Sequence, residues 1–478
     1  MTSINLPVAE LKPALLGLGK ILNKNATLPV LSMIKVERTN EGWIALTATD
    51  LDSFVTVRLE QPDTGAPLSL LVPYTELQSL AKTCGKQDKI SVSPLPDDRI
   101  ALEYPIGSQN SVKRCDSIKL EEFPEIPRIE GEPIPIPDGV RTAFQEAFEC
   151  ASTEETRLVL NGAYLDVSDS KCHCIVGTDG RHLYASNSFH LPVKSSVIIP
   201  THRFLGWKEF SNDGEWRLKV QEGSPALVQL STRRWRFITK QFEGQYPNWR
   251  QVIPKEAGKT TVEIEACESV VQTINRIPDH DPQDHKIGIA VEHGVLVLLG
   301  KASAEDSQFI HVPVPGAKVT GPDVRVHLNR EFLAKALNFG LGCFSIEDAL
   351  SPLKFTNGGR QMIVMPLRGE SDTPTNVKTK PVESPVAGET SNGFSEQKPT
   401  NERKQPMTES TQEPQSMDRI FDEVLSGIES TRESLVEKAV HLKSLGSKVK
   451  LLMREQKSSL KEIQAIRQTL KSLQGVKL

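Results

Sequence analysis

The sequence predicts an α+β protein of three tandem domains built to one design, followed by a disordered linker and a long α-helical coiled coil. Three observations predict this. A short apolar strand runs straight into an amphipathic helix at three places, L71-V-P-Y-T-E-L-Q-S-L80, I198-I-P-T-H-R-F-L-G-W207 and V326-H-L-N-R-E-F-L-A-K335. Alternating runs such as W43-I-A-L-T-A-T49 and F54-V-T-V-R-L59 have the pattern of sheets with one buried face. From residue 416 onward, apolar residues recur at steps of three and four, the mark of a heptad seam.

Within the repeat, Pro73, Pro200 and Leu328 hold equivalent places, separated by 127 and 128 residues. Leu77, Phe204 and Phe332 then share one helical face. Helix-like openings recur at Val8–Leu22, Asp138–Cys150 and Ala266–Ile277, each after an extended piece containing Leu6, Ile136 or Ile264. A period of about 128 residues far exceeds that of solenoids, which repeat every 20–50 residues, so whole domains are repeated. Proline-rich residues 131–137 and the polar stretch P254-K-E-A-G-K259 put the boundaries at 1–132, 133–258 and 259–369.

The stretch C174-I-V-G-T-D-G-R-H-L-Y184 reads as a hairpin, with Asp179-Gly180 as the turn dipeptide. A48-T-D-L51 precedes its G177-T-D-G180 by 129 residues. A nuclease or hydrolase would have to use Asp50, Asp179 or His182. Catalysis needs a nucleophile or metal plus an orienting group, and one loop does not supply that set. The expected reading is a turn that displays side chains to a partner, in a protein that is not an enzyme.

Net charge is −4, unevenly distributed. Residues 1–369 carry 40 Lys+Arg against 45 Asp+Glu, residues 370–415 carry 5 against 8, and residues 416–478 carry 12 against 8. The main body is mildly acidic and the C-terminal end basic. Seven scattered cysteines and the absence of a secretory apolar stretch suit reduced thiols in a cytoplasmic protein. Cys172-His173-Cys174 would alternate faces on a strand and has no second pair at finger spacing, so no metal or cofactor is expected. No apolar run approaches the ~20 residues that span a bilayer.

Residues 1–368 resemble the bacterial DNA polymerase III beta subunit, or sliding clamp, family. The resemblance rests on N25-A-T-L-P-V-L-S32, on E155-T-R-L-V-L-N-G162 leading to T178-D-G-R-H-L183, on F242-E-G-Q-Y-P-N-W-R-Q-V-I-P254, and on V364-M-P-L-R368. It implies clamp-type domains forming half of a six-domain ring, a homodimer with helices lining a hole around double-stranded DNA. It also implies a nucleoid-associated role, tethering DNA polymerase, clamp loader and repair proteins through their short linear motifs. The implied peptide pocket comprises Leu160, Thr178, Gly180, Arg181, His182, Leu183, Pro247, Val252, Asn329, Phe332, Met365, Pro366, Leu367 and Arg368. On the repeat helices, the implied channel residues are Lys12, Lys20, Lys24, Lys82, Arg157, His202, Arg203, Lys208 and Lys335. A clamp-like adaptor or decoy that binds the same partners without loading on DNA is the alternative function.

The chain departs from the family pattern in several places. Arg181-His182 reverses the usual His-Arg order, leaving open which side chain faces a peptide. Gln251 stands where a base is common. Residues 338–350 are shorter than the family's strand-turn-strand, so the third sheet is expected to be trimmed at an edge.

Residues 370–415 are rich in Pro, Thr, Ser, Glu and Asn, with Phe394 their one aromatic, and read as a disordered linker. In residues 416–478 the seam runs through Phe421, Val424, Ile428, Leu435, Leu442, Leu445, Val449, Leu452, Ile463, Ile466, Leu470 and Leu473, with Thr431, Lys438, Gln456 and Ser459 as its polar members. An unbroken helix would span roughly 80 Å; a hairpin at S444-L-G-S447 is the competing reading. Self-association of this coil within the ring is expected, with a separate partner helix as the alternative.

Overall fold

The computed structural model of the chain describes residues 3–22, 28–154, 156–301 and 309–368. Lys24, the linker and the coiled-coil seam lie outside the described residues. Among the described residues there are six α-helices: α1 Val8–Leu18, α2 Tyr74–Thr83, α3 Asp138–Cys150, α4 Lys208–Ser211, α5 Cys267–Arg276 and α6 Arg330–Asn338. α1, α3 and α5 follow the short strands Ile4–Pro7, Ile134–Ile136 and Thr260–Glu263. α2 and α6 follow Leu68–Pro73 and Val324–Asn329 directly. Pro7, Pro73 and Pro137 stand at the N-caps of α1 to α3, with φ of −62°, −59° and −60°. A proline ring fixes such a φ and loses no helical hydrogen bond there. Asn329 caps α6 by accepting from the amides of Glu331 (2.8 Å) and Phe332 (3.3 Å).

The helix expected at residues 201–207 is absent. After Val197–Pro200 the chain makes two tight turns, Leu205 N–H to His202 O and Trp207 N–H to Phe204 O, and α4 is one turn long. Gly206 weakens a helix here, and burial decides the outcome. Phe204 is fully buried against Phe210, Trp235 and Phe237, and Trp207 lies edge-on to Trp235. Phe204 therefore shares no helical face with Leu77 and Phe332.

Among the described residues, four antiparallel sheets contain the strands. The first has the order Ile4–Pro7, Lys89–Leu95, Arg99–Ile106, Gln109–Asp116. An eight-stranded sheet is continuous across the first two domains, because Trp235–Lys240 pairs with Ser53–Arg58. A nine-stranded sheet is likewise continuous across the second and third, because Arg360–Val364 pairs with His182–Phe189. The last sheet has the order Ile310–Pro313, Val295–Gly300, Lys286–Glu292, Val324–Asn329.

Continuity of the sheets corrects two expectations. Ser53–Val57 is buried on both faces rather than one. Val55 and Val57 point into the main core beneath the helices, while Phe54 points to a second cluster with Leu71, Phe123, Ile129 and Ile238. The third domain's sheet is not trimmed: Thr260–Glu263, Cys343–Ile346, Leu353–Asn357 and Arg360–Val364 are all present, and Lys318–Thr320 adds an edge strand. Residues 347–352 connect two of these strands, so a short segment still leaves the pairing Phe344 to Phe355 intact.

The second and third domains repeat the arrangement of the first and second. Leu183 lies opposite Ile363 as Phe54 lies opposite Ile238. Leu183 and Ile363 join Leu160, Val176, Ile198, Tyr246 and Trp249 in an apolar cluster on the face away from the helices.

Candidate functional site

At the second junction, local hydrogen bonds decide how the 178–183 turn presents its side chains. Thr178 Oγ1 donates to His182 O (2.6 Å) and accepts from Gly180 N–H (3.0 Å). Asp179 Oδ1 accepts from the amides of Arg181 (2.8 Å) and His182 (2.9 Å). Gly180 has φ +88°, a conformation that favours glycine. This Asp-centred turn sends Arg181 outward and His182 inward.

His182 is buried and stacks on Phe332 of α6, with ring centroids 4.1 Å apart. Its Nδ1 sits 2.8 Å from Asp179 Oδ1 and its Nε2 3.2 Å from Lys335 Nζ, which also donates to Glu149 O (2.7 Å). An imidazole facing an ammonium through Nε2 is neutral. Burial holds its pKa below the ordinary value, and Lys335 adds to this while Asp179 opposes it. Burial pushes Asp179 up, but the adjacent His182 ring and the amides of Arg181 and His182 outweigh it and its pKa lies below the usual carboxylate range. The Asp179–His182–Lys335 chain thus joins second and third domains beneath the turn.

Met365 N–H donates to Arg181 O (3.1 Å) and Leu367 N–H to His327 O (2.7 Å), so residues 365–368 lie between the turn and the strand Val324–Asn329. Of the sequence-predicted pocket residues, Gly180, Arg181, Pro247, Val252, Met365 and Arg368 are exposed. Phe332, Pro366 and Leu367 are half-buried, whereas Leu160, Thr178, His182, Leu183 and Asn329 are buried. Val252 (45%) and Met365 (43%) are large apolar side chains left in solvent beside the apolar cluster. Sequence reasoning missed Leu158, Tyr246, Trp249 and Ile363. Leu158 is exposed and the other three are in the cluster. The alternation toward Ile363 two residues before Met365 was the available signal.

The predicted channel residues divide differently. Lys12 lies on α1, Lys82 on α2, Lys208 on α4 and Lys335 on α6. Lys82 and Lys208 are exposed, Lys12 donates to Cys84 O (3.0 Å), and Lys20 lies just past α1 with its ammonium 5.8 Å from the Trp207 ring. Arg157, His202 and Arg203 are not helical. Arg157 is exposed, 3.6 Å from Glu154. Arg203 donates to Lys20 O and to Leu22 O (3.3 Å), using its guanidinium at the carbonyl end of α1. His202 packs on Phe237, and burial, with Arg203 nearby, takes its pKa down to about 4. It is therefore uncharged near neutral pH and does not supply the predicted cationic surface.

His173, between Cys172 and Cys174, stacks on His190 and accepts from Leu191 N–H (3.2 Å). Among the described residues no group of three His, Cys, Asp or Glu side chains is arranged to hold a metal ion. No described helix is long and apolar enough to cross a membrane.

No family model matches the chain. Among curated proteins it is similar to the beta sliding clamp of Salmonella typhimurium, at 22% identity over 365 residues, covering 73% of this chain and 94% of that protein. The beta sliding clamp of Pseudomonas putida is 24% identical over 267 residues, covering 53% and 68% respectively. Among solved structures, the DNA polymerase III subunit beta of Pseudomonas aeruginosa matches with a TM-score of 0.66 at 19% identity, over 77% of this chain and 100% of that one. The Bartonella birtlesii sliding clamp bound to griselimycin matches with a TM-score of 0.65 at 21% identity, over 77% and 99%.

Proposed function

We propose, from the premise that this chain is a divergent member of the bacterial beta sliding clamp family, that two copies close head to tail around duplex DNA. The ring acts as a non-enzymatic processivity factor. It tethers polymerase, clamp loader and repair proteins through the apolar pocket at the second junction.

The observation that carries the ring is a pairing rule used twice inside the chain and left open once. Ser53–Arg58 and His182–Phe189, equivalent strands of the first and second domains, each pair with the last strand of the following domain. Their third-domain counterpart, Ile310–Pro313, is an edge strand, and so is the last strand of the first domain, Gln109–Asp116. Both edges bear exposed apolar side chains, Ile310 on one and Val112 on the other. An open edge is a template for pairing. Joining these two edges between copies repeats an existing junction, and a head-to-tail contact that closes after two copies gives six domains.

The pocket reading is supported by exposed Val252 and Met365 over a buried apolar cluster, with Arg181 and Arg368 at its rim. Apolar anchors flanked by guanidinium groups suit a short peptide with bulky apolar and acidic or carbonyl groups. The relative bound to griselimycin supports a small-molecule or peptide site in this fold. Against hydrolytic chemistry, Asp179 and Asp50 both spend an oxygen on turn amides, Asp50 accepting from Asp52 and Ser53. For residues 416–478 the proposal is a coiled coil that self-associates beside the ring.

Sedimentation equilibrium of the full chain tests ring closure. The expected result is a two-chain species, converted to a folded monomer by Val112→Asp with Ile310→Asp. A wild-type chain that remains monomeric at about 50 μM, far above a typical obligate dimer's Kd, contradicts it.

A further inference from the structure

We propose that Asp166 is a positioning residue of the peptide pocket, holding the Pro247–Val252 wall so that Val252 stays available to a bound peptide. This inference rests on the pocket reading above and identifies what keeps that pocket open.

Asp166 ends the strand Gly162–Asp166 and is 2% exposed. A buried carboxylate is tolerated only when paired and hydrogen-bonded. Oδ1 accepts from Ser168 N–H (3.0 Å) and Ser168 Oγ (2.6 Å). Oδ2 accepts from Trp249 Nε1 (2.9 Å) and Arg250 Nη1 (2.5 Å). Burial pushes this carboxyl up, yet these donors outweigh it and its pKa lies below the usual range. The Arg250 guanidinium also lies over the Trp249 ring, 4.4 Å from its centroid. One carboxylate oxygen thus grips two consecutive side chains of the turn Trp249–Val252.

Little else holds that wall by polar contact. Among the described residues, the backbone N–H groups of residues 243–253 that make hydrogen bonds do so within the segment: Trp249 N–H to Pro247 O (2.7 Å) and Gln251 N–H to Asn248 O (3.3 Å). Tyr246 and Trp249 supply apolar anchorage.

The first junction shows the same wall without the brace. F123-P-E-I-P-R-I129 corresponds to Y246-P-N-W-R-Q-V252, with Pro124 in the place of Pro247. Ile126 replaces Trp249 and Pro127 replaces Arg250, so neither donor exists. Glu37, the counterpart of Asp166 at the repeat spacing, pairs with Lys35 instead (3.3 Å). There the residue corresponding to Val252 is Ile129, which is 4% exposed and packed into the apolar cluster, against 45% for Val252. Where the carboxylate grips the wall, Val252 stays out and the next residue, Ile253, packs on the cluster; where the grip is missing, Ile129 itself folds in.

The test uses the full chain, selectively ¹⁵N-labelled at its tryptophans, with the indole signal of Trp249 assigned from Trp249→Phe. The binding probes are griselimycin and a synthetic peptide copied from a bacterial polymerase's clamp-binding motif. Asp166→Ala should expose the Trp249 indole proton to exchange and weaken both probes about 10-fold, the size expected when a buried charged hydrogen bond is lost. Asp166→Asn keeps an acceptor for the indole, so its signal should stay protected and affinity should stay within about threefold of wild type. Trp249→Phe, which removes the donor together with part of the buried ring system, should fall between them and serves if Asp166→Ala fails to fold. Unchanged affinity with an exposed indole, or equal losses in the Asn and Ala variants, overturns the positioning role. A wild-type chain that binds neither probe instead removes the pocket, and this inference with it.

Discussion

At the first junction Phe54 lies opposite Ile238, Ile129 is buried, and Lys240 at the end of the crossing strand pairs with Asp52 at 2.9 Å. At the second, Leu183 lies opposite Ile363, while Val252 is exposed and Met365 follows the crossing strand into solvent. One backbone plan serves both, since the strand pairing and the cluster beneath it are the same. The difference lies in a few side chains at the rim: an exposed ion pair and an inward isoleucine at one junction, two outward apolar residues, Val252 and Met365, at the other. Sheet pairing makes a junction, and rim chemistry decides whether apolar side chains are left exposed at it.

The largest effects should come from the clusters the two junctions share. Phe54→Ala should cost about 3–5 kcal/mol and Leu183→Ala about 2–4 kcal/mol in chemical denaturation, as buried truncations do. They should differ in function: only Leu183→Ala, made together with Met365→Ala, should weaken clamp-motif peptide binding, by about 10–100-fold. If Phe54→Ala weakens the peptide equally while the protein remains folded, the junctions are not functionally distinct.

Acid should separate the junctions next, because each contains an imidazole whose pKa burial lowers. His202 packs on Phe237, 3.8 Å from Asp50 and near Arg203; His182 packs on Phe332 between Asp179 and Lys335. Both folded pKa values lie below the ordinary value of 6.5. The unfolded chain therefore binds protons first as pH falls, so stability is full above about 6.5 and declines in acid. For His202 the loss continues down to about pH 4 and should amount to about 1–3 kcal/mol. Protonating His182 also sets a second cation beside Lys335, so peptide binding at the second junction should weaken in the same direction. Melting temperature against pH checks this: His202→Gln and His182→Gln should each flatten the acid limb, and only His182→Gln should flatten the peptide's pH dependence.

The smallest effects on stability should come from the rim itself. Val252→Ala and Met365→Ala leave solvent-exposed positions, so each should change stability by under about 1 kcal/mol. Removing the Asp52–Lys240 pair with Lys240→Ala should cost about 0–1 kcal/mol, as exposed ion pairs do. Peptide titration sharpens the contrast: Val252→Ala and Met365→Ala should each weaken binding several-fold, about 3–10 times, and Lys240→Ala not at all.

Much of this architecture is legible in the sequence. The spacing of Pro73, Pro200 and Leu328 located the repeat, and α1, α3 and α5 begin within a residue of the predicted openings. The periodicity at 201–207 suggests a helix, but burial of Phe204 against Phe210, Trp235 and Phe237 and packing of Trp207 on Trp235 override it. Which strands cross the junctions was not readable, since pairing partners 180 or so residues apart leave no local pattern. The orientation of Arg181 and His182 also escaped the sequence. It depends on the Asp179 turn and on the register that places His182 opposite Val364. Asp166 gave no signal, being a single aspartate at a strand end whose partners lie 83 and 84 residues away.

The central claim is that the pairing used at both junctions is used a third time between chains, closing a ring on DNA. Cryo-electron microscopy of the full chain with primed circular DNA tests it most directly. The account predicts a two-chain ring in which Gln109–Asp116 of one copy pairs with Ile310–Pro313 of the other and duplex DNA passes through the hole. Single chains on DNA, or rings whose DNA lies only against the outer face, would contradict it.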